Sequence, residues 1–188
     1  MSQTTQSDPL VDFLLGLEKR QDRGALAALR TGLGKRPGEA PRMFPYIGPF
    51  LRSTDPGRAS VIAVFLTASL FAKHPEHASG RSLGLALSNA TKSDRNPDGK
   101  HGEPGVETRF TAMLDAYPDD IPRHLDGLIS LCESAGTGLD WYRFRLDVIG
   151  LLGDNEENRD RVRLKWARDF WRGEQGQTAT DSTEGTNI

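Results

Sequence analysis

Residues 59–72, Ala-Ser-Val-Ile-Ala-Val-Phe-Leu-Thr-Ala-Ser-Leu-Phe-Ala, are apolar nearly all the way round a helix. A helix without a polar face has to be surrounded by other elements, so this segment is read as the central buried helix. The rest of the chain must then supply the covers. Asp55-Pro56 reads as its N-terminus, with proline in the first turn, and His74-Pro75 ends it.

The flanking segments have the helical apolar period that covering requires. Leu10, Phe13, Leu14 and Leu17 share one face, behind a cap at Ser7 or Asp8 and a proline at position 9. Asp22 caps a second helix with the stripe Leu26, Leu29, Leu33, and Gly32 and Gly34 stop it. Residues 43–51, punctuated by Pro41, Pro45 and Pro49, form a short or kinked helix whose Met43, Phe44, Tyr46, Ile47, Phe50 and Leu51 are packing material. A short helix follows over 83–90.

Further on, Val106, Phe110, Met113 and Leu114 share a face. Asp119 and Asp120, after Pro118, cap a helix over 121–135 that Gly136 and Gly138 end. Asp140 caps a helix over 141–152, with Trp141, Phe144, Val148, Leu151 and Leu152 inward and Gly153 at its end. Asp154 caps the last helix, which turns Val162, Trp166 and Phe170 inward and carries Glu156 and Glu157 at its positive end. No segment alternates polar and apolar with a period of two, so the expected fold class is all-α, with about eight or nine helices in two packed helical halves. The boundaries read as a polar lead-in 1–7, an N-terminal half 8–91, a basic loop or linker 92–104, a C-terminal bundle 105–172, and an acidic tail 173–188 expected to be disordered or exposed.

Charge is distributed unevenly. The 188 residues have net charge −2, yet residues 30–109 carry twelve Lys and Arg against seven Asp and Glu, while residues 110–153 carry three against seven. A basic middle with an acidic flank fits a face that binds a polyanion. The lone cysteine, Cys132, excludes an internal disulfide framework and, on the stripe Ile121, Leu125, Leu128, Ile129, is expected to be a buried small hydrophobe. Residues 1–9 are polar and unlike a signal peptide, and the run 61–66 is far shorter than the ~20 residues of a membrane helix, so a cytoplasmic protein is expected.

Motifs for chemistry fail one by one. Gly32-Leu33-Gly34-Lys35 imitates a phosphate loop, but Arg36 stands where Ser or Thr would hold magnesium and no strand precedes it. Asp94-Arg95-Asn96-Pro97-Asp98-Gly99 opens like a calcium loop, but Gly105 occupies the place of the bidentate glutamate, leaving an Asx-rich turn. His74 and His77 could be metal ligands, but Pro75 lies between them and no third ligand follows, so a solvated helix end is expected. No nucleophile, base and orienter stand together. The expectation is no enzymatic activity and no cofactor.

The arginines remain. Arg143 with Asp147 and Lys165 with Asp169 have the i, i+4 spacing of surface ion pairs. Arg30, Lys35, Arg36, Arg42, Arg52, Arg58, Arg81, Lys92, Arg95, Lys100 and Arg109 mostly lack a carboxylate at that spacing. Unpaired cations on helix ends and loops suit a phosphate backbone, which they bind without reading sequence. No aromatic stands clear as a base-stacking platform, because nearly all fall on buried faces. The densest stretch is the bend 30–47, which presents Arg30, Lys35, Arg36 and Arg42.

Four features of the chain resemble the CasB family, the small subunit of the type I-E CRISPR surveillance complex Cascade. They are Leu29-Arg30-x-Gly32 followed by Pro41-Arg42 and Phe44-Pro45-Tyr46; Ser82-Leu83-Gly84-x-Ala86-Leu87; Glu107-x-Arg109-Phe110 with Met113-Leu114; and Leu139-Asp140-Trp141 with a closing Trp166 to Phe170. The resemblance spans residues 10–172 and lies in the order and spacing of core plus arginine. It implies a non-enzymatic all-α protein, present as two copies head to tail among other Cascade subunits. It also implies a basic surface that steadies the guide RNA–DNA duplex and the displaced DNA strand, stabilising the R-loop in antiviral defence. The matching basic positions are Arg30, Arg42, Arg109, Arg123 and Arg143. The position after Ser82-Leu83-Gly84, basic in family members, is Leu85 here, and Arg81 or Lys92 is expected to supply that cation. With Lys35 from the bend these eight are the expected nucleic-acid contacts. The alternative is a helical protein-interaction scaffold whose arginines meet acidic faces without touching nucleic acid.

Overall fold

The computed structural model describes residues 7–93 and 105–175. Among them are nine α-helices: α1 (Pro9–Lys19), α2 (Arg23–Arg30), α3 (Phe44–Ile47), α4 (Ala59–Lys73), α5 (Leu83–Ser93), α6 (Val106–Leu114), α7 (Ile121–Ala135), α8 (Trp141–Leu152) and α9 (Glu156–Gln175). Extended pairing among the described residues is a single parallel bridge between His77 and Leu139. The fold is all-α, as the missing alternation required.

Helix α4 is central, buried on every side from Val61 to Ala72 and packed against α1, α2, α3, α7 and α8. Helix α5 lies along α9 and also meets α6 and α7. One continuous apolar core joins all of these, with Phe71, Phe110, Trp141, Phe144, Trp166 and Phe170 fully buried. Phe71 and Phe144 each meet Trp141 edge to face, at 5.4 and 5.1 Å between centroids, which fixes α8 against α4.

Local chemistry sets most helix ends. Asp8 accepts from the amides of Leu10 and Val11 at 3.0 and 3.2 Å, Asp22 from Ala25 at 3.0 Å, and Asp140 from Tyr142 and Arg143 at 3.1 and 3.2 Å. Each such cap contributes about 1 kcal/mol. Gly136 ends α7 with φ 61°, a left-handed turn that glycine enters without a Cβ penalty.

Several ends differ from expectation. Asp55 closes an Asx turn by accepting from the Gly57 amide at 2.9 Å, so α4 begins only at Ala59. Asp120 makes no cap bond to α7, because its backbone is already helical and its side chain turns outward. Asn155, rather than Asp154, receives an amide of α9, that of Asn158 at 3.1 Å. The segment punctuated by prolines is a relay of 3-10 turn (Pro41–Met43), α3 and 3-10 turn (Gly48–Phe50). Each proline removes an amide and restarts the helix. Helix α5 continues past residue 90 to Ser93, and α9 runs to Gln175. The calcium-like loop, with Arg95 and Lys100, and the tail beyond Gln175 lie outside the described residues.

Neither i, i+4 ion pair forms; Lys165 of the second reaches Asp147 of the first instead. Asp147 is buried between α8 and α9, where it accepts from Lys165 Nζ at 2.7 Å and from the Trp166 indole N–H at 2.7 Å. Asp169 accepts from the Ser82 hydroxyl at 2.7 Å and pairs with Arg168 at 3.0 Å. The i, i+4 rule assumes two solvated side chains, and the inward carboxylate of Asp147 finds its partner on the facing helix instead.

Cys132 is buried in α7, and burial pushes its thiol up to about 12. The reactive thiolate is therefore suppressed at neutral pH. Native protein at pH 8 is expected to resist a thiol-alkylating reagent and to react fully once unfolded, as intact-mass measurement would show. Rapid native labelling would contradict the buried placement.

Candidate nucleic-acid interface

The bend after α2 is a built structure. A Cβ on Gly32 would run into the sulfur of Met43, a fully buried residue of the following 3-10 turn. That close approach holds the bend onto the core. Gly38, at φ 98°, takes a backbone conformation that other residues enter only with strain. The Arg36 amide donates to Glu39 Oε2 at 2.9 Å and closes the outer loop. The side chains of Lys35, Arg36 and Arg42 project outward from this frame. Arg52 and Arg58 follow on the segment leading into α4. All five are exposed, and among the described residues none of their side chains makes a hydrogen bond or ion pair.

The expected contacts therefore divide. Lys35 and Arg42 stand free on the bend. Arg30, at its start, is exposed but donates its Nε–H to the Ala72 carbonyl at 2.6 Å. This satisfies an end carbonyl of α4 and places a cation at the negative end of that helix. Arg81 donates to the Gly138 carbonyl at 3.3 Å, and Arg143 to the Gly80 carbonyl at 3.3 Å while standing 3.7 Å from Asp140. These two meet at a joint between the segments 74–81 and 136–143, remote in sequence from the bend. Arg123 is exposed on α7, 3.7 Å from Asp120. Lys92, at the end of α5, and Arg109, on α6, both have partners.

The joint also settles the histidines. His74 is buried, with Nε2 2.9 Å from the Thr137 carbonyl, and His77 Nδ1 accepts from the Trp141 amide at 3.4 Å. The solvated helix end expected for this pair is thus an interior seam: Pro75 turns the chain back against Leu139 instead of into water. Among the described residues no group of three His, Cys, Asp or Glu is placed to hold a metal ion. No described helix is long and apolar enough to cross a membrane.

Sequence reasoning missed Phe44. It was expected in the packing, but 41% of it is exposed. Its ring packs at right angles to Phe65, with centroids 5.9 Å apart. Together they line an open groove of about 880 Å³ between the bend and the start of α4. Leu51 and Val61 add to its apolar floor, and Arg52, Ser53 and Thr54 form a polar lip. One signal was available. Met43 and Ile47 are the i, i+4 buried pair, which leaves Phe44 and Gly48, one step round the turn, to face sideways. Tyr117 and Trp171 are also exposed, at 79% and 37%.

With this geometry in hand, comparison with known proteins is informative. The family model for CRISPR-associated protein Cse2 matches residues 25–171. A CRISPR-associated protein Cse2 from Thermus thermophilus is 32% identical over 148 residues, 78% of each chain. The crystal structure of CasB from Thermus thermophilus superposes with TM-score 0.66 at 31% identity, over 88% of this chain and 99% of that one. A chain of a CRISPR RNA-guided surveillance complex superposes with TM-score 0.62 at 25% identity, over 90% and 97% respectively.

Proposed function

The chain belongs to the CRISPR-associated Cse2 family, and on that premise we propose that it is a non-catalytic small subunit of an RNA-guided CRISPR complex of the type I-E Cascade kind. In this reading it contacts the backbone of the displaced DNA strand and the guide–target duplex, and it works as two copies head to tail beside the other subunits. The observation that carries the reading is the run of unpartnered, exposed cations at Lys35, Arg36, Arg42, Arg52 and Arg58, on a fold shared with a chain of a surveillance complex. The cost of opening target DNA is nearly balanced by the heteroduplex that replaces it, so a few backbone contacts can tip the exchange. Free cations are suited to this, because each phosphate contact releases condensed counterions. Arg42 and Lys35 carry more weight here than Arg30, Arg81 and Arg143, whose guanidinium groups already hold backbone carbonyls.

Reversing charge at Lys35, Arg42 and Arg58 together is expected to weaken DNA retention by the assembled complex at least tenfold at 0.1 M salt. It should also flatten the log–log salt dependence by about two to three units. Helicity and thermal midpoint should stay unchanged, since none of these side chains holds a partner. A salt slope near zero in the unmodified complex would remove the electrostatic reading. The scaffold reading is favoured by Leu146 and Leu164, exposed at 53% and 71% on α8 and α9. Its signature would be loss of complex assembly in Leu164→Asp with DNA retention by the remaining assembled fraction unaltered.

A further inference from the structure

We propose that the groove beside the cationic bend is a base-stacking subsite, in which one unpaired nucleobase of a single strand lies against the exposed ring of Phe44. The proposal rests on the nucleic-acid reading above and adds what that reading lacks, a contact to a base.

The chemistry of a single-strand site is a π surface for the base with cations spaced along the sugar–phosphate on either side. The groove has both. Phe44 is partly exposed and held edge to face by Phe65, so its ring is oriented before any ligand arrives. The floor beneath is apolar, with Leu51 and Val61, and about 880 Å³ lies within the roughly 300–1,000 Å³ typical of small-molecule sites. The polar lip supplies the Arg52 guanidinium and the Thr54 hydroxyl, neither bonded to another described group. Arg42 stands two residues before Phe44, and Arg36 and Arg58 lie within two residues of groove-lining Pro37 and Pro56. The groove is thus apolar at its base with the Arg52 guanidinium on its lip, and three more unpaired cations stand close in the chain to its lining, which suits a nucleotide with its base inward and its phosphates outside. An apolar protein segment would have no use for the unpaired Arg52 guanidinium on the lip.

Gly48 offers a clean way to close the site. It lines the groove, its backbone is right-handed at φ −49° and ψ −44°, and a Cβ there meets nothing within 4 Å. Gly48→Leu would project an aliphatic side chain into the groove, with no new π surface and no backbone strain.

The test uses the full chain, a short fluorescent oligothymidylate and the abasic oligonucleotide of equal length, titrated by anisotropy over a range of salt. The base-bearing strand is expected to bind about 5- to 100-fold more tightly than the abasic one, the range for one stacked base. Phe44→Ala and Gly48→Leu should each abolish that preference, leaving abasic binding and its salt slope unchanged. Both variants should melt cooperatively, and Gly48→Leu serves if Phe44→Ala loses stability. Equal binding of the two strands, or a preference that survives in Gly48→Leu, overturns the stacking subsite while leaving backbone binding intact. So does an assembly defect in Gly48→Leu with no change in strand preference, which would assign the groove to a protein. If neither strand binds at any salt, the backbone reading and the subsite fall together.

Discussion

Replacing Asp140 with alanine is expected to cost about 2–4 kcal/mol of folding stability and to lower the thermal midpoint by about 5–15 °C. The side chain is nearly buried and works in two directions at once. Oδ1 caps α8 through the amides of Tyr142 and Arg143, and Oδ2 accepts from the Gly80 amide at 2.7 Å. Loss of the cap accounts for about 1 kcal/mol. The lost bond from the Gly80 amide adds about 1–3 kcal/mol, as expected for a hydrogen bond to a charged acceptor. Asp140→Asn keeps one carbonyl oxygen and should lose less than half as much. Chemical denaturation gives the totals. Amide exchange should quicken at Gly80 and Tyr142 specifically, and unaltered exchange at both would mean that water replaces the carboxylate. Arg81 and Arg143 hang on the same joint, so weakened DNA binding in their variants speaks of phosphate contact only where the joint still protects Gly80.

That joint shows which parts of the molecule could be read in advance. The caps at Asp8, Asp22 and Asp140 and the turn at Gly136 were legible because each depends on two or three neighbouring residues. Burial of Val162, Trp166 and Phe170 was legible because helical period alone puts them on one face. The destination of the charges was not. Lys165 reaches Asp147, Ser82 reaches Asp169, and Arg30 reaches the Ala72 carbonyl, and none of these pairings has a spacing that a helix rule can name. The bend 30–47 is cationic by its sequence, yet its free members could be separated from its structural one only by the end of α4 lying beside Arg30. The exposure of Phe44 was hidden for a similar reason. Composition marks phenylalanine as core, and only the restart of the helix at Pro45 turns it aside. The family-bearing motifs are mainly joints: Ser82-Leu83-Gly84 and Leu139-Asp140-Trp141 hold helices together, and of the five free cations Arg42 alone lies in such a motif.

Gly84→Val is expected to be strongly destabilising, costing about 3 kcal/mol or more. Any Cβ at this position would overlap the carbonyl oxygen of Trp166, with the Trp166 carbonyl carbon at 2.9 Å and its Cα at 3.1 Å. These are backbone atoms inside α9, so nothing rotates away and the whole helix must move. Moving it separates α5 from α9, which lie against each other at Gly84 with Trp166 and at Gly173 with Leu85 and Ser88. It also pulls on Trp166, whose indole N–H satisfies the buried Asp147. Alanine at Gly84 sets two effects against each other. It gains about 1 kcal/mol of helix propensity and loses about 1–3 kcal/mol to overpacking, so a net loss of up to about 2 kcal/mol is expected. Gly173→Ala is the control on the same crossing. There the nearest atom is the Ser88 hydroxyl oxygen, 2.7 Å from an added Cβ, the end of a side chain that can turn away. The expected order of stability in denaturant is wild type, Gly173→Ala, Gly84→Ala, Gly84→Val. Near-ultraviolet circular dichroism of Gly84→Val should report a loosened Trp166. If Gly84→Ala proved more stable than wild type, α9 would have to slide on α5 at little cost, and the close crossing could not be what Ser82-Leu83-Gly84 serves.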